Sequence, residues 1–270
     1  MRLHVAELGP PDAEPLLLVH GWPQHWWCWN KVAPELAGDR RVVMPDLRGH
    51  GWSEAPADGY EKDRLADDLV GLLDALGIER VDYVGHDWGA YVGFLLGVRY
   101  PERVRRILNL GLPPPWLPKS DRQSPRRLVT FLYQVPLAAP LIGELLINIG
   151  GAPWMIRNGS ANGAFTAEAL EPYAATWTTR RGARVSTQMY RSFLLREIPP
   201  IMAGRWDRLH MEHEARLVIG EHDPVGGTAP VTGHEGHAPR LVIEKIPGAG
   251  HFLPEERPDV VVAHARELFA

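Results

Sequence analysis

Residues 81–90, Val-Asp-Tyr-Val-Gly-His-Asp-Trp-Gly-Ala, constrain this chain more than any other stretch. Val81, Tyr83 and Val84 are β-branched or aromatic and read as a strand, and the chain from Ala90 onward reads as a helix. Between them Gly85 and Gly89 bracket a sharp turn centred on Asp87. A strand passing directly into a helix crowds the backbone on both sides of its central residue, so the flanking positions need small side chains. The pattern is a Gly-x-nucleophile-x-Gly elbow with aspartate at its centre, and no Gly-x-Ser-x-Gly occurs anywhere in the chain. Aspartate is already ionised at neutral pH and can attack an electrophilic carbon without a base to activate it. Epoxides and haloalkanes are the targets this points to, rather than acyl groups.

The elbow needs a sheet around it, and 270 residues suffice for one large α/β domain with an inserted subdomain. A net charge of -4 and a pI near 6.3 give no reason to expect nucleic acid or an anionic membrane as partner. The single cysteine, Cys28, excludes an intrachain disulfide and fits a reducing compartment. The first residues are charged and alternating, unlike a targeting signal, and no stretch approaches the roughly 18 apolar residues of a membrane span. A cytoplasmic protein is expected.

Residues 2–8 mostly alternate like an edge strand, closed by Gly9-Pro10-Pro11-Asp12. Residues 16–20 are an apolar run of the buried parallel kind, leading into His20-Gly21-Trp22-Pro23. Trp26-Trp27-Cys28-Trp29 then starts an expected helix over 26–36, and residues 41–44 give another strand. In the loop Asp46-Leu47-Arg48-Gly49-His50-Gly51-Trp52-Ser53, Asp46 and Arg48 are expected to tie the turn. Leu65, Leu69, Leu72, Leu73 and Leu76 mark an amphipathic helix over 63–76 that Gly77 stops. After the elbow come a helix over 90–100, a stop at Pro101 and a strand over 106–110. This alternation predicts a mostly parallel, doubly wound sheet whose ligand site lies at the carboxyl ends of its strands. His20, Asp46 and Asp87 fall at such ends, so three loops are expected to converge on one crevice.

From Leu112 the rhythm breaks, with a proline-rich exit, Pro113-Pro114-Pro115-Trp116, and a helical, aromatic segment without clear strands. Strands resume at 216–220 and 241–243, and a helix over 258–269 ends the chain. The simplest account is a core of residues 1–111 and 210–270 with a helical cap, 112–209, inserted over the site.

Five motifs carry a family resemblance: His20-Gly21-Trp22-Pro23, the loop from Asp46 to Ser53, Gly85-His86-Asp87-Trp88-Gly89, Gly220-Glu221-His222-Asp223-Pro224 and Gly248-Ala249-Gly250-His251-Phe252. In order and content the chain resembles the alpha/beta-hydrolase superfamily, and within it the epoxide hydrolases and their relatives the haloalkane dehalogenases. Asp87 is then the nucleophile. His251, in a glycine-flanked loop after the last strand, is the base that activates water. The resemblance implies Asp223 as the acid that orients the imidazole, with Glu221 as its rival. The backbone N–H groups of Trp22 and Trp88 are the expected oxyanion donors. Epoxide opening also needs an acid, and Tyr190, followed by Arg191, resembles the family's cap tyrosine. The position usual for a second tyrosine falls near Val129, so Tyr133 or Tyr173 would have to substitute, or a single tyrosine acts. His20, Trp22, Trp88, Tyr133 and Tyr190 are the expected substrate contacts.

The leading reading is hydrolysis of a small apolar epoxide by water, through an ester on Asp87, without cofactor or metal. His222, His234 and His237 lack a regular ligand spacing and read as a solvated loop. A haloalkane dehalogenase is the alternative, although that group usually has Asn where this chain has Trp22 and needs no Tyr190. A fluoroacetate-type enzyme would want arginines after the nucleophile, where Trp88, Ala90 and Tyr91 stand. A non-catalytic ligand-binding member of the fold is the third reading, and the intact Asp87, Asp223 and His251 weigh against it. The sequence does not fix the oligomeric state, and a homodimer is left open.

Overall fold

A computed structural model of the chain describes residues 1–119, 122, 132–227 and 231–270. Among these, seven strands form one sheet: β1 (Val5–Leu8), β2 (Glu14–Val19), β3 (Arg40–Pro45), β4 (Val81–His86), β5 (Val104–Leu110), β6 (Ala215–Gly220) and β7 (Leu241–Ile246). Their order is β1-β3-β2-β4-β5-β6-β7. Only β1, at the edge, runs antiparallel, with Ala6 opposite Met44. Every residue of β4 is buried because β2 and β5 flank it and helices cover it, which explains why its side chains do not alternate.

Helices α1 (Ala33–Leu36), α2 (Lys62–Ala75) and α3 (Trp88–Arg99) belong to the first half of the sheet, and α10 (Leu253–Glu256) and α11 (Pro258–Leu268) follow its last strand. The segment between β5 and β6 contains α4 (Gln134–Ala138), α5 (Ile142–Leu146), α6 (Ala152–Gly159), α7 (Ala167–Trp177), α8 (Arg180–Ser192) and α9 (Ile198–Met202), with π-helical turns at Ile147–Gly151 and Phe193–Glu197. The expected alternation of strands and helices, and its interruption by a helical segment, are both present.

Two local expectations change. Residues 26–36 form a 3-10 turn, Trp26–Trp29, and the short α1 rather than one helix. Asp46 Oδ1 takes the Trp26 N–H at 2.9 Å, the Asn30 side chain bonds back to Trp27 O at 2.8 Å, and Pro34 has no N–H to carry a helix through. Asp46 does tie its turn, since Oδ2 also accepts the Trp52 N–H at 3.0 Å. Arg48 instead reaches α2, where it makes paired 2.7 Å bonds to both oxygens of Asp68.

The close packing of α3 on the sheet rests on Gly89, where an added Cβ would overlap the carbonyl oxygen of Val19 in β2. Gly38, in an exposed turn, has no atom within 4 Å of the same position. Gly89→Ala should therefore lower the urea midpoint by the equivalent of about 3 kcal/mol, while Gly38→Ala stays near the parent.

Candidate active site

Asp87 sits at the junction of β4 and α3 with φ 52° and ψ -121°, a backbone state that L-residues adopt only under constraint. Three contacts hold it. The Asp87 N–H donates to Leu110 O at 3.1 Å, the buried Tyr83 hydroxyl donates to Gly89 O at 2.7 Å, and Gly85 lies so close to Gly89 that no Cβ fits. The carboxylate is thereby turned toward β2, where its Oδ1 accepts the Trp22 N–H at 2.8 Å. Gly21 is required at this approach, since a Cβ there would overlap Oδ1. Trp88 is the first residue of α3, so its N–H belongs to the helix's unsatisfied first turn.

The other carboxylate oxygen, Oδ2, lies 3.4 Å from His251 Nε2. On the far side of the ring, His251 Nδ1 donates to Asp223 Oδ2 at 2.9 Å. Asp223 is fully buried, and its Oδ1 accepts the N–H groups of Val225 and Gly226 at 2.7 and 3.1 Å. Burial works against its charge, but the His251 ring and these donors outweigh it and lower its pKa below the usual carboxylate value. Burial likewise disfavours an imidazolium at His251. Asp223, by charge and hydrogen bond, and then Asp87 overcome this and push the His251 pKa up to about 10. Glu221 is exposed and accepts the Gly248 N–H at 3.3 Å, so it does not orient the ring.

Two lobes of one cavity meet at Asp87. The smaller, about 110 Å³, runs under Trp88, Leu112, Phe193 and Ile201, and the larger, about 360 Å³, passes Trp22, Trp154, His251 and Phe252. Tyr133, Tyr190 and Val225 line both. Tyr190 on α8 is 3% exposed, and its ring stands edge-on to Trp22 at 5.0 Å. Its hydroxyl has no hydrogen-bond partner among the described residues, and burial, then the neighbouring Tyr133 and Asp87, raise its pKa well above that of a free tyrosine. Tyr133 is 39% exposed as a residue, but its phenol end faces the cavity, where loss of solvent pushes its pKa up to about 12, and its hydroxyl accepts a 3.2 Å bond from Gln134 Nε2. Both hydroxyls keep their protons at any ordinary pH. Tyr173 is buried away from both lobes and donates to Glu255 Oε2 at 3.0 Å. Val129 lies outside the described residues.

Two expected residues do not reach the cavity. His20 is fully buried, with Nδ1 donating to Gly21 O at 3.0 Å and Nε2 accepting the Leu47 N–H at 3.0 Å. Burial and the neighbouring His50 ring hold its pKa well below the ordinary value, so it joins two loops as a neutral ring and does not line the cavity. Asp46 is likewise spent on backbone N–H groups. Conversely, three supports were not read from the sequence. Tyr83 braces the elbow, Ser186 on α8 accepts the Trp22 indole N–H at 2.8 Å, and His86 Nε2 donates to the His251 carbonyl at 2.8 Å. Only His86 carried a signal, its place beside Asp87. His237, expected in a solvated loop, is instead partly buried, stacking on Trp116 and donating from Nδ1 to Leu209 O at 3.1 Å.

The alpha/beta hydrolase fold family model matches residues 14–142. A soluble epoxide hydrolase from Corynebacterium sp. (strain C12) is 29% identical over 293 aligned positions, covering 100% of this chain and 94% of that protein. The structure of a Pseudomonas aeruginosa mutant, provisionally named an epoxide hydrolase, is 30% identical with a TM-score of 0.82, covering 98% of this chain and 91% of the other. A 2-hydroxymuconate semialdehyde hydrolase from Pseudomonas sp. (strain CF600) is 46% identical over 101 residues, 36% of each chain, too small a share to carry an activity.

The raised His251 pKa has a defined sign. The folded value of about 10 exceeds the ordinary 6.5, so the imidazolium's contribution to stability is complete below about pH 6.5 and is lost as pH rises toward 10. Asp87→Asn removes one of the two nearby anions, and NMR titration of the His251 ring should show its pKa falling from the parent value.

Proposed function

The chain belongs to the alpha/beta-hydrolase family and is an epoxide hydrolase-like hydrolase, and from this we propose that it converts an apolar epoxide to a vicinal diol through an ester on Asp87. The observation that carries the reading is the pair of protonated hydroxyls, Tyr190 and Tyr133, lining the same two lobes as the Asp87 carboxylate. A displacement at an oxirane carbon needs both a nucleophile and an acid for the departing oxygen. Asp87 and the two tyrosines share one cavity lining, and in this reading the insertion that carries both tyrosines, 112–209, serves as the cap.

In this reading Asp87 Oδ2 attacks an oxirane carbon. The C–O bond breaks, and the oxygen takes a proton from Tyr190, with Tyr133 as the second donor. Oδ1 becomes the ester carbonyl oxygen, already held by the Trp22 N–H at 2.8 Å. Esterification also removes the Asp87 charge that helps to keep His251 protonated. The ring can then release its proton and act as base, with Asp223 fixing its orientation. The proton that His251 gives up restores the Tyr190 hydroxyl. Water then attacks the Asp87 carboxyl carbon as His251 takes its proton, and the oxyanion is met by the N–H groups of Trp22 and Trp88. Collapse breaks the bond from the carboxyl carbon to Oδ2, which leaves in the diol with a proton from the His251 imidazolium. The charge of Asp87 thus suppresses the base until the base is needed. The commitment of the Trp22 indole N–H to Ser186 weighs against haloalkane chemistry, because it leaves that group unavailable to a departing halide.

A single turnover in oxygen-18 water should place one heavy oxygen in Asp87 and none in the first diol, read by mass spectrometry of the elbow peptide. Label in the diol alone would remove the covalent route. Tyr190→Phe should lower the rate of ester formation by about 100-fold or more, and adding Tyr133→Phe should lower it further. Steady-state kcat should rise with pH as the alkylated enzyme's His251 loses its proton, with a midpoint below about 10, the value of the resting enzyme.

A further inference from the structure

Glu256, at the end of α10, takes no part in the chemistry described above, yet it is the side chain on which the His251 loop closes. It is 6% exposed. Its Oε1 accepts the Phe252 N–H at 2.9 Å, and its Oε2 accepts the Gly250 N–H at 2.9 Å, so the amides before and after His251 end on one carboxylate. Oε2 also accepts the Ala161 N–H at 2.9 Å, from the loop after α6 in the helical insertion. Two further bonds join the same parts: the His251 N–H donates to O of Gly159, the last residue of α6, at 2.8 Å, and Asn162 Nδ2 donates to Glu256 O at 3.0 Å. No cation pairs with Glu256 among the described residues, so oriented N–H groups are what compensate its buried charge.

We propose that Glu256 is a positioning residue for the hydrolytic half of the reaction. It fixes the main chain of His251 while Asp223 fixes the ring, and through Ala161 it makes the base's position depend on the seated cap. Two anchors are needed because the loop carries Gly248 at φ 66° and Gly250 immediately before the histidine, and neither glycine resists rotation. Asp223 alone holds Nδ1 but leaves the ring free to pivot about that bond. Nε2 must face the water beside the Asp87 carboxyl carbon, where an error of about 1 Å costs on the order of 100-fold. Attack by Asp87 on the substrate makes no use of the histidine as base. Loss of Glu256 therefore slows ester hydrolysis and spares ester formation.

The inference rests on the covalent route proposed above, and one experiment separates the two. Parent, His251→Gln, Glu256→Ala and Glu256→Gln enzymes are mixed with a styrene oxide probe, quenched on the millisecond scale and weighed intact. His251→Gln should accumulate the ester whatever Glu256 does. Glu256→Ala should also accumulate it, form it within about threefold of the parent rate, and show kcat and KM falling together by about 100-fold. Glu256→Gln keeps one accepting oxygen and the side-chain length, so it should accumulate less, and it carries the test if the alanine variant does not fold. Ester in His251→Gln but in neither Glu256 variant, with kcat reduced at unchanged KM, would make Glu256 a structural residue only and overturn the proposal. No ester in any variant would overturn the covalent route and this inference with it.

Discussion

The negative charge of Asp87 is held between a backbone N–H and an imidazolium, and much of the surrounding structure keeps that charge where it is. Its positive φ costs on the order of 1–3 kcal/mol. A hydrogen bond to a charged group returns about 1.5–3 kcal/mol, so the Trp22 N–H and the His251 ring are of the size needed to hold the bend. The glycines at 21, 85 and 89 follow from the same constraint, because each lies where another backbone or the carboxylate occupies the space of a Cβ. A larger residue at any of them would move the charge and not merely the fold.

The second layer ties the helical insertion to the sheet by bonds that end on the site. Ser186 holds the Trp22 indole, Tyr173 bonds Glu255, the Trp177 indole donates to Pro23 O, and Ala161 bonds Glu256. Lys62, fully buried at the start of α2, pairs with Glu197 at 3.0 Å and lies 4.0 Å from the Trp88 ring centroid. A buried pair of this kind adds little net stability compared with apolar packing, but losing one partner strands a charge. Its effect is to fix where the insertion sits over Trp88, and so the shape of the smaller lobe. Tyr190 and Tyr133 are carried by the insertion, so their distance from Asp87 is set by these ties and not by the sheet.

Legibility in the sequence followed the range of the interactions. The elbow could be read because strand, turn and helix are contiguous, and the requirement for glycine is local. The parallel strands could be read because burial on both faces removes alternation from β2 and β4. A single helix over 26–36 does not form because its competitor, the Asp46 carboxylate, lies 20 residues from Trp26, beyond the reach of a local pattern. Arg48 leaves its own turn for the same reason, since its partner Asp68 lies 20 residues away on α2. His20 stands at a strand end, which suggests a ligand contact, but a fully buried ring with both nitrogens occupied has nothing left to offer one.

The sequence by itself determined the chemistry on offer: a carboxylate at a strained bend, a histidine and an acid in order behind it, and tyrosines in an inserted segment. These depend on residue type and on neighbours a few positions away. Tertiary structure alone decided which groups meet. It joined His251 to Asp87 across 164 residues, put Tyr133 on the cavity wall and Tyr173 away from it, and turned Glu255 and Glu256 to different partners. The reason is that hydrogen bonds and charges act over a few ångströms of space, and only the packed sheet and insertion bring residues so distant in the chain within that reach.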